Sequence, residues 1–435
     1  MKRIAEQKLL EWKNDDDFKP LILMGARQVG KTWLMKNLGS AHFKNYIYVN
    51  FEKEPEKRSL FEQDLHVDRI VKTLELFSNQ SIVDGESLLI FDEIQEAPLA
   101  LTSLKYFAED RPKLHVIAAG SLLGVTMNKA SFPVGKVQFL TIRPMNFEEF
   151  LWASGENPLV QLLNNTEFDL ISIFKERFIS QLRLYYIVGG MPAAVAKYLE
   201  SSNLEAVNEV QNFILTAYKQ DFAKHAPSSM IRKILDLWDG IVSQLSKENK
   251  KFVYGLIKSG ARAREYELAI DWLVNYGLVH KIYAVSKIAF PLNAYRDFKS
   301  FKLYALDCGL LFSMAKMSPN QVLNDDSLFQ EFKGALTEQF VLQELIVSEC
   351  NNISYWANEN ATAELDFIFE KNGNFFPLEV KATENLKSKS LRVFHEKYSE
   401  IHCLRASLSN YRKEEWMSNV PLYTLAKFIE LEHKE

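Results

Sequence analysis

The chain has 435 residues, 47% hydrophobic and 25% charged, ordinary values for a globular protein long enough for about two to four domains with buried cores. Its net charge of −4 excludes a globally basic nucleic-acid binder, so contact with nucleic acid must come from local patches. No apolar run reaches the ~18 residues of a membrane span, and three scattered cysteines (Cys308, Cys350, Cys403) without metal-ligand spacing suit a reducing, cytoplasmic setting.

In chain order, the opening residues turn acidic at Glu6 and lack a long apolar core, so no signal peptide is expected. Residues 19–24 are a short apolar run that suits a buried parallel strand. Directly after it, residues 25–32 read Gly-Ala-Arg-Gln-Val-Gly-Lys-Thr, a complete phosphate-loop pattern, and a helix is predicted over 31–38. Gly25 and Gly30 permit a turn whose backbone N–H groups point inward at phosphate oxygens, with Ala26, Arg27, Gln28 and Val29 between them. Lys31 reaches the β- and γ-phosphates, the Thr32 hydroxyl ligates Mg²⁺, and Trp33 completes the expected nucleotide-binding set at the helix start. The bland alternative is a glycine-rich surface turn.

A strand is predicted over 45–51, a helix over 65–77, and a further strand over 87–93 that ends in two carboxylates. Asp92 is assigned to the Mg²⁺ hydration shell and Glu93 to orienting the attacking water, as ATP hydrolysis requires. An adjacent Asp-Glu pair favours an ATPase over a small-molecule kinase, which needs no water-activating base. Strands over 114–119 and 137–141 complete a parallel sheet built from strand–helix–strand units. Ser121, just past a strand end, is either a sensor of the γ-phosphate or its water, or an ordinary turn serine.

From 144 to 230 the pattern is helical, broken by Gly189-Gly190-Met191-Pro192. Residues 231–295 suggest helices followed by an apolar hairpin at 279–292, consistent with a winged helix, and 247–264 carries six Lys/Arg against one Glu. The polar stretch 318–327 reads as a linker. Residues 334–406 then run helix, three strands, helix, strand. Residues two apart on a strand share a face, so Glu379 and Lys381 point the same way while Leu378 and Val380 pack the core. Asp366 on the neighbouring strand could meet them, and an Asp with a Glu can hold Mg²⁺ against a phosphodiester while Lys stabilises developing charge.

That arrangement resembles the PD-(D/E)XK, or restriction-endonuclease-like, superfamily, whose acidic helix residue, strand Asp and Glu-x-Lys would fall on Glu338, Asp366, Glu379 and Lys381. Catalytic roles for Asp366, Glu379 and Lys381, and metal ligation by Asp366, Glu379 and Glu338, follow from the resemblance. The surrounding 371–413 holds nine Lys/Arg against four Glu, which favours a polyanion nearby. The alternative is an alternating strand with a salt-bridged surface.

Taken whole, the chain resembles a prokaryotic group of AAA-type ATPases fused to a C-terminal domain of unknown function with a restriction-endonuclease-like core. The resemblance is carried by residues 25–32, 91–95, Gly120-Ser121, 147–150, 189–192, 304–309 and 379–381. It implies an α/β fold: a P-loop ATPase core (1–155), a helical lid (156–230), a winged-helix-like unit (231–317), a nuclease-like domain (325–410) and a tail (411–435). It implies ATP and Mg²⁺ as cofactors, ATP hydrolysis, a homo-oligomer, and DNA as the partner of the winged-helix-like and nuclease-like regions. Two readings stay open, a nucleotide-controlled DNA-cleaving module and an ATP-regulated switch that binds DNA or protein through an inactive nuclease-like domain. Where the group carries an Arg before residues 144–150, this chain has Lys136, which cannot reproduce a bidentate arginine fork; Arg111 and Arg143 are the alternatives.

Overall fold

The computed structural model describes residues 1–120, 135–247, 250–323, 327–358, 362–384 and 388–431. The chain gathers into two compact units, one of residues 2–143 with 275–277, the other of 144–274 and 278–435 with Met1.

The first unit is built on five strands: β1 (Leu21–Met24), β2 (Asn45–Asn50), β3 (Ser87–Asp92), β4 (His115–Ala119) and β5 (Gln138–Thr141). Their spatial order is β2-β3-β4-β1-β5, and every neighbouring pair is parallel. Every residue of β3 and β4 is buried. Because successive side chains point to opposite faces, such unbroken burial means that both faces are covered. The helix Val67–Ser78 shows why the intervening segments coil: Val67, Ile70, Val71 and Leu74 recur at helical spacing and are its buried residues. The helix Lys31–His42 buries Leu34, Met35 and Leu38 in the same way. A parallel sheet gathers all carboxyl ends on one edge, which sets the loop after β1 and the acids closing β3 on that edge, with β4 between them.

The second unit combines the helices Phe147–Ala153, Lys175–Val188, Pro192–Ser201, Leu204–His225 and Ser228–Leu245 with an eight-stranded sheet. Its strands are β6 (Val279–Val285), β7 (Arg296–Ala305), β8 (Asn351–Ala357), β9 (Glu364–Lys371), β10 (Asn374–Val380), β11 (Cys403–Ser407), β12 (Arg412–Lys413) and β13 (Met417–Pro421). They lie in the order β12-β13-β11-β10-β9-β8-β6-β7. The helix Ser327–Val347 buries Leu336, Phe340, Val341 and Leu345. The helix Lys389–Lys397 adds Leu391 and Phe394 to a core with Trp356, Leu365, Cys403 and Met417.

The hairpin expected over 279–292 is longer. Leu292–Tyr295 is a 3-10 turn, the return strand is β7, and β6 also pairs in parallel with β8, so the hairpin forms the end of the eight-stranded sheet. Of the expected linker, Pro319–Leu323 is a short helix, and residues 324–326 lie outside the described residues. Among the described residues no helix is long and apolar enough to cross a membrane.

Candidate functional site

Between Met24 and Lys31 the chain makes a loop whose backbone few side chains permit. Gly25, Gln28 and Gly30 have φ of 133°, 66° and 97°, and a Cβ on Gly25 would lie 2.2 Å from the Ile142 carbonyl oxygen. Gly30 is the left-handed N-cap of the helix Lys31–His42. Ala26 and Val29 are buried, Arg27 is half-buried and Gln28 exposed. Lys31 is buried, and its amine donates to the carbonyl oxygens of Gly25 and Ala26, each at 2.8 Å. Burial lowers the Lys31 pKa to about 8, against the opposing pull of the Glu93 and Asp92 charges and with the Arg27 charge adding to the fall. Trp33 is 46% exposed on the first helical turn.

Asp92 closes β3 and is 3% exposed. Its Oδ2 accepts from the Thr32 hydroxyl and the Tyr48 phenol, each at 2.8 Å, and its Oδ1 from the Glu93 N–H at 3.1 Å. Asn50 in turn donates to the Tyr48 oxygen at 3.1 Å. Burial pushes the Tyr48 phenol well above its usual range, so it remains a donor. Glu93 sits at φ 52°, a left-handed backbone that turns the chain sharply after the strand, and accepts from Gln95 at 2.6 Å. Burial raises its carboxyl, the Gln95 bond opposes this, and the Asp92 charge adds to the rise. A carboxyl raised in this way is the stronger base.

The residues present fit ATP with Mg²⁺. Thr32 Oγ1 and Asp92 Oδ2 are hard oxygen donors side by side, the type Mg²⁺ takes, and the buried Lys31 amine faces neutral carbonyls that phosphate oxygens would replace to advantage. Thr32 and Asp92 would hold the metal, and loop residues 25–32 the phosphates. Bound there, the metal would neutralise phosphate charge.

The arginine alternatives separate by strand end. Arg111 precedes β4 and forks onto Asp84 at 2.5–3.1 Å, with Asp68 at 3.3 Å; Lys136 precedes β5 and pairs with Glu109 at 3.1 Å. Both therefore stand at the amino ends of strands, opposite the phosphate loop. Arg143 follows the carboxyl end of β5, on the loop's own edge. Ser121 lies outside the described residues.

In the second unit, Glu338 accepts from Tyr304 at 3.0 Å and pairs with Lys250, both partners buried. Burial pushes the Glu338 carboxyl up, but Lys250 and Lys302 outweigh it and hold the group below its usual range. Asp366 accepts the Val380 N–H at 2.7 Å, and burial together with the Glu338 charge raises its carboxyl. Lys302, buried, pairs with Glu364 at 2.6 Å. Because Phe367 faces Leu378 across β9 and β10, Asp366 and Glu379 are the next opposed positions, and Glu379 is level with Arg405 on β11. One Glu379 oxygen pairs with Lys381 at 2.7 Å; the other is buried without a hydrogen-bond partner. Two of the three expected metal ligands are thus paired with lysines. Among the described residues, no group of three or more His, Cys, Asp or Glu is arranged to hold a metal ion.

The remaining sequence motifs meet in one buried network. Asp307, fully buried, accepts from the Gly190 N–H at 2.7 Å and the Leu310 N–H at 3.0 Å. Met145 N–H donates to Gly190 at 2.7 Å, and the Tyr185 hydroxyl to the Met145 carbonyl at 2.6 Å. Glu344 caps Phe147 at 3.1 Å, and Gln343 receives the Cys308 N–H at 2.8 Å. These contacts tie 147–150, 189–192 and 304–309 together as scaffold.

Tyr48 and Asn50 are the residues of the first site that sequence reasoning missed. Their alternation at the end of a strand beside the acid-ending one is the signal that could have found them.

A five-stranded parallel sheet with a phosphate loop after its first strand and an Asp-Glu pair closing another defines a P-loop ATPase domain. Residues 17–151 match the family described as AAA domain, which makes this part of the chain an AAA-type P-loop ATPase domain. Residues 179–321 and 333–425 match two families described as domains of unknown function, DUF8612 and DUF4143. No curated protein sequence matches the chain. Among solved structures, the chain is similar to a Walker-type ATPase of Pyrococcus abyssi, at 14% identity over 72% of this chain and 95% of that one, with a TM-score of 0.45. It is also similar to the Aeropyrum pernix ORC1 protein in complex with DNA, at 13% identity over 75% and 92% of the two chains, TM-score 0.26. A third similarity is to a STAND-class signal transduction ATPase with a tetratricopeptide repeat sensor from Pyrococcus horikoshii, at 14% identity over 80% and 45%, TM-score 0.25.

Proposed function

We propose that the chain is a Mg²⁺-dependent ATPase whose nucleotide state controls a C-terminal binding module. The observation that carries this is the convergence of Thr32, Tyr48 and the Glu93 N–H on the Asp92 carboxylate, beside a buried Lys31. Glu93 orients the attacking water, Asp92 and Thr32 hold the cation, and the loop backbone binds phosphate. The C-terminal module binds DNA through the basic 371–413 stretch and the hairpin region, and does not cut it. The lysine caps on Glu338 and Glu379 support this choice over a nuclease, because each neutralises a carboxylate that would have to bear the metal.

ATP turnover measured with no DNA and with double-stranded, single-stranded and branched DNA tests the coupling; stimulation by at least one form is expected, and indifference to all of them contradicts it. Plasmid nicking with Mg²⁺ separates the two C-terminal readings. The wild type and Asp366→Ala should show the same background, whereas nicking by the wild type that Asp366→Ala abolishes would establish a nuclease.

A further inference from the structure

Arg3, outside every motif, reaches the phosphate loop from the N-terminus. It is 6% exposed, its Nη1 donates to the Val29 carbonyl at 3.0 Å, and its Nη2 donates to the Arg143 carbonyl at 2.7 Å. Its backbone is fixed too: the Arg3 N–H donates to Glu6 Oε1 at 2.9 Å, and the helix Ile4–Asn14 that follows is anchored by buried Leu9 and Trp12. Trp12 donates to the Lys19 carbonyl at 2.8 Å and meets His115 of β4 edge-on at 5.3 Å, so the guanidinium is held from a rigid base.

We infer that Arg3 is a positioning residue for nucleotide binding, holding the Val29–Gly30 peptide of the phosphate loop and tying it to Arg143. The inference rests on the ATP-binding reading of the loop. A trans peptide is planar, so a Val29 carbonyl held on Arg3 turns the Gly30 N–H the opposite way, toward the side where phosphate lies. Val29 is fully buried, so it serves a ligand through the backbone and not through its side chain. Without a donor for the Val29 carbonyl the peptide is free to flip, and the loop must pay to restore it each time nucleotide binds. The second arm extends the effect. Arg143 closes the residue 2–143 segment, and Pro144 begins the other unit, so one planar fork joins the phosphate loop to the point where the chain leaves the ATPase unit. Lysine offers no such fork.

Titration of the fluorescent analogue mant-ATP with Mg²⁺ into full-length wild type, Arg3→Ala, Arg3→Lys and Leu9→Ala tests this. Arg3→Ala should bind about tenfold more weakly, Arg3→Lys should fall between it and the wild type, and millimolar methylguanidinium should restore part of the Arg3→Ala affinity. Leu9→Ala, which loosens the helix but keeps the fork, should bind close to wild type. Wild-type affinity in both Arg3 variants overturns the inference. So does a Leu9→Ala loss equal to that of Arg3→Ala, or an Arg3→Ala defect that methylguanidinium does not touch, since either assigns the effect to helix docking alone. Should Arg3→Ala fail to fold, Arg3→Lys with wild-type affinity still overturns it. A wild type that does not bind mant-ATP instead removes the ATP-binding reading itself.

Discussion

Lys31 is a cation held in a place that disfavours its charge, and this has a measurable consequence. Its folded pKa of about 8 lies below the unfolded value of 10.5, so between these limits the unfolded chain binds the extra proton and stability rises with pH. Below about pH 8 the group is charged in both states and the penalty is constant. Thermal unfolding from about pH 8 to 10 should therefore show a stabilising trend that Lys31→Met removes; the same trend in both proteins would contradict the assignment. Phosphate oxygens favour the charged amine, so nucleotide binding at about pH 8.5 should take up protons, seen as a binding enthalpy that depends on the buffer's ionisation heat. Glu93→Gln makes a different demand. It should keep ATP affinity within about twofold and lower turnover by about 10²-fold or more, because on the mechanism proposed above only the carboxylate that orients water is lost.

At the scale of elements, apolar runs and one loop were enough to read most of the first unit. The strands over 45–51, 87–93, 114–119 and 137–141 match β2 to β5 to within a residue or two, because a parallel strand covered on both faces must be apolar throughout. What could not be read were partners set by sheet order. Tyr48 reaches Asp92, with Asn50 donating to Tyr48, only because β2 lies beside β3, and Arg3 matters only because its helix docks near the loop. The same holds in the second unit, where β6 pairs with β8 across a long stretch of sequence and extends the hairpin into a sheet. Motif residues read as family marks prove to be scaffold. Asp307→Ala would strand buried donors from Gly190 and Leu310, at about 1–3 kcal/mol each. Its melting temperature should fall by several degrees, by scanning calorimetry, with an unchanged melt contradicting the network's role.

Across the whole molecule, two constellations of carboxylates differ in how they are neutralised. In the first unit Asp92 is met by neutral donors, which leaves it the charge to hold a cation; in the second, Glu338 and Glu379 are met by Lys250 and Lys381. On the function proposed above, hydrolytic chemistry falls to the first and binding to the second. The sequence pattern alone left the second open, since an acid-x-Lys triplet does not reveal whether its lysine faces a substrate or its own glutamate. The most direct test is the release of phosphate from ATP with Mg²⁺ by the full chain, compared with Lys31→Ala and Glu93→Gln. Steady turnover by the wild type, lost in both variants, with nucleotide binding lost only in Lys31→Ala, is the predicted result. Turnover that survives either substitution, or a wild type that neither binds nor hydrolyses ATP, would contradict it.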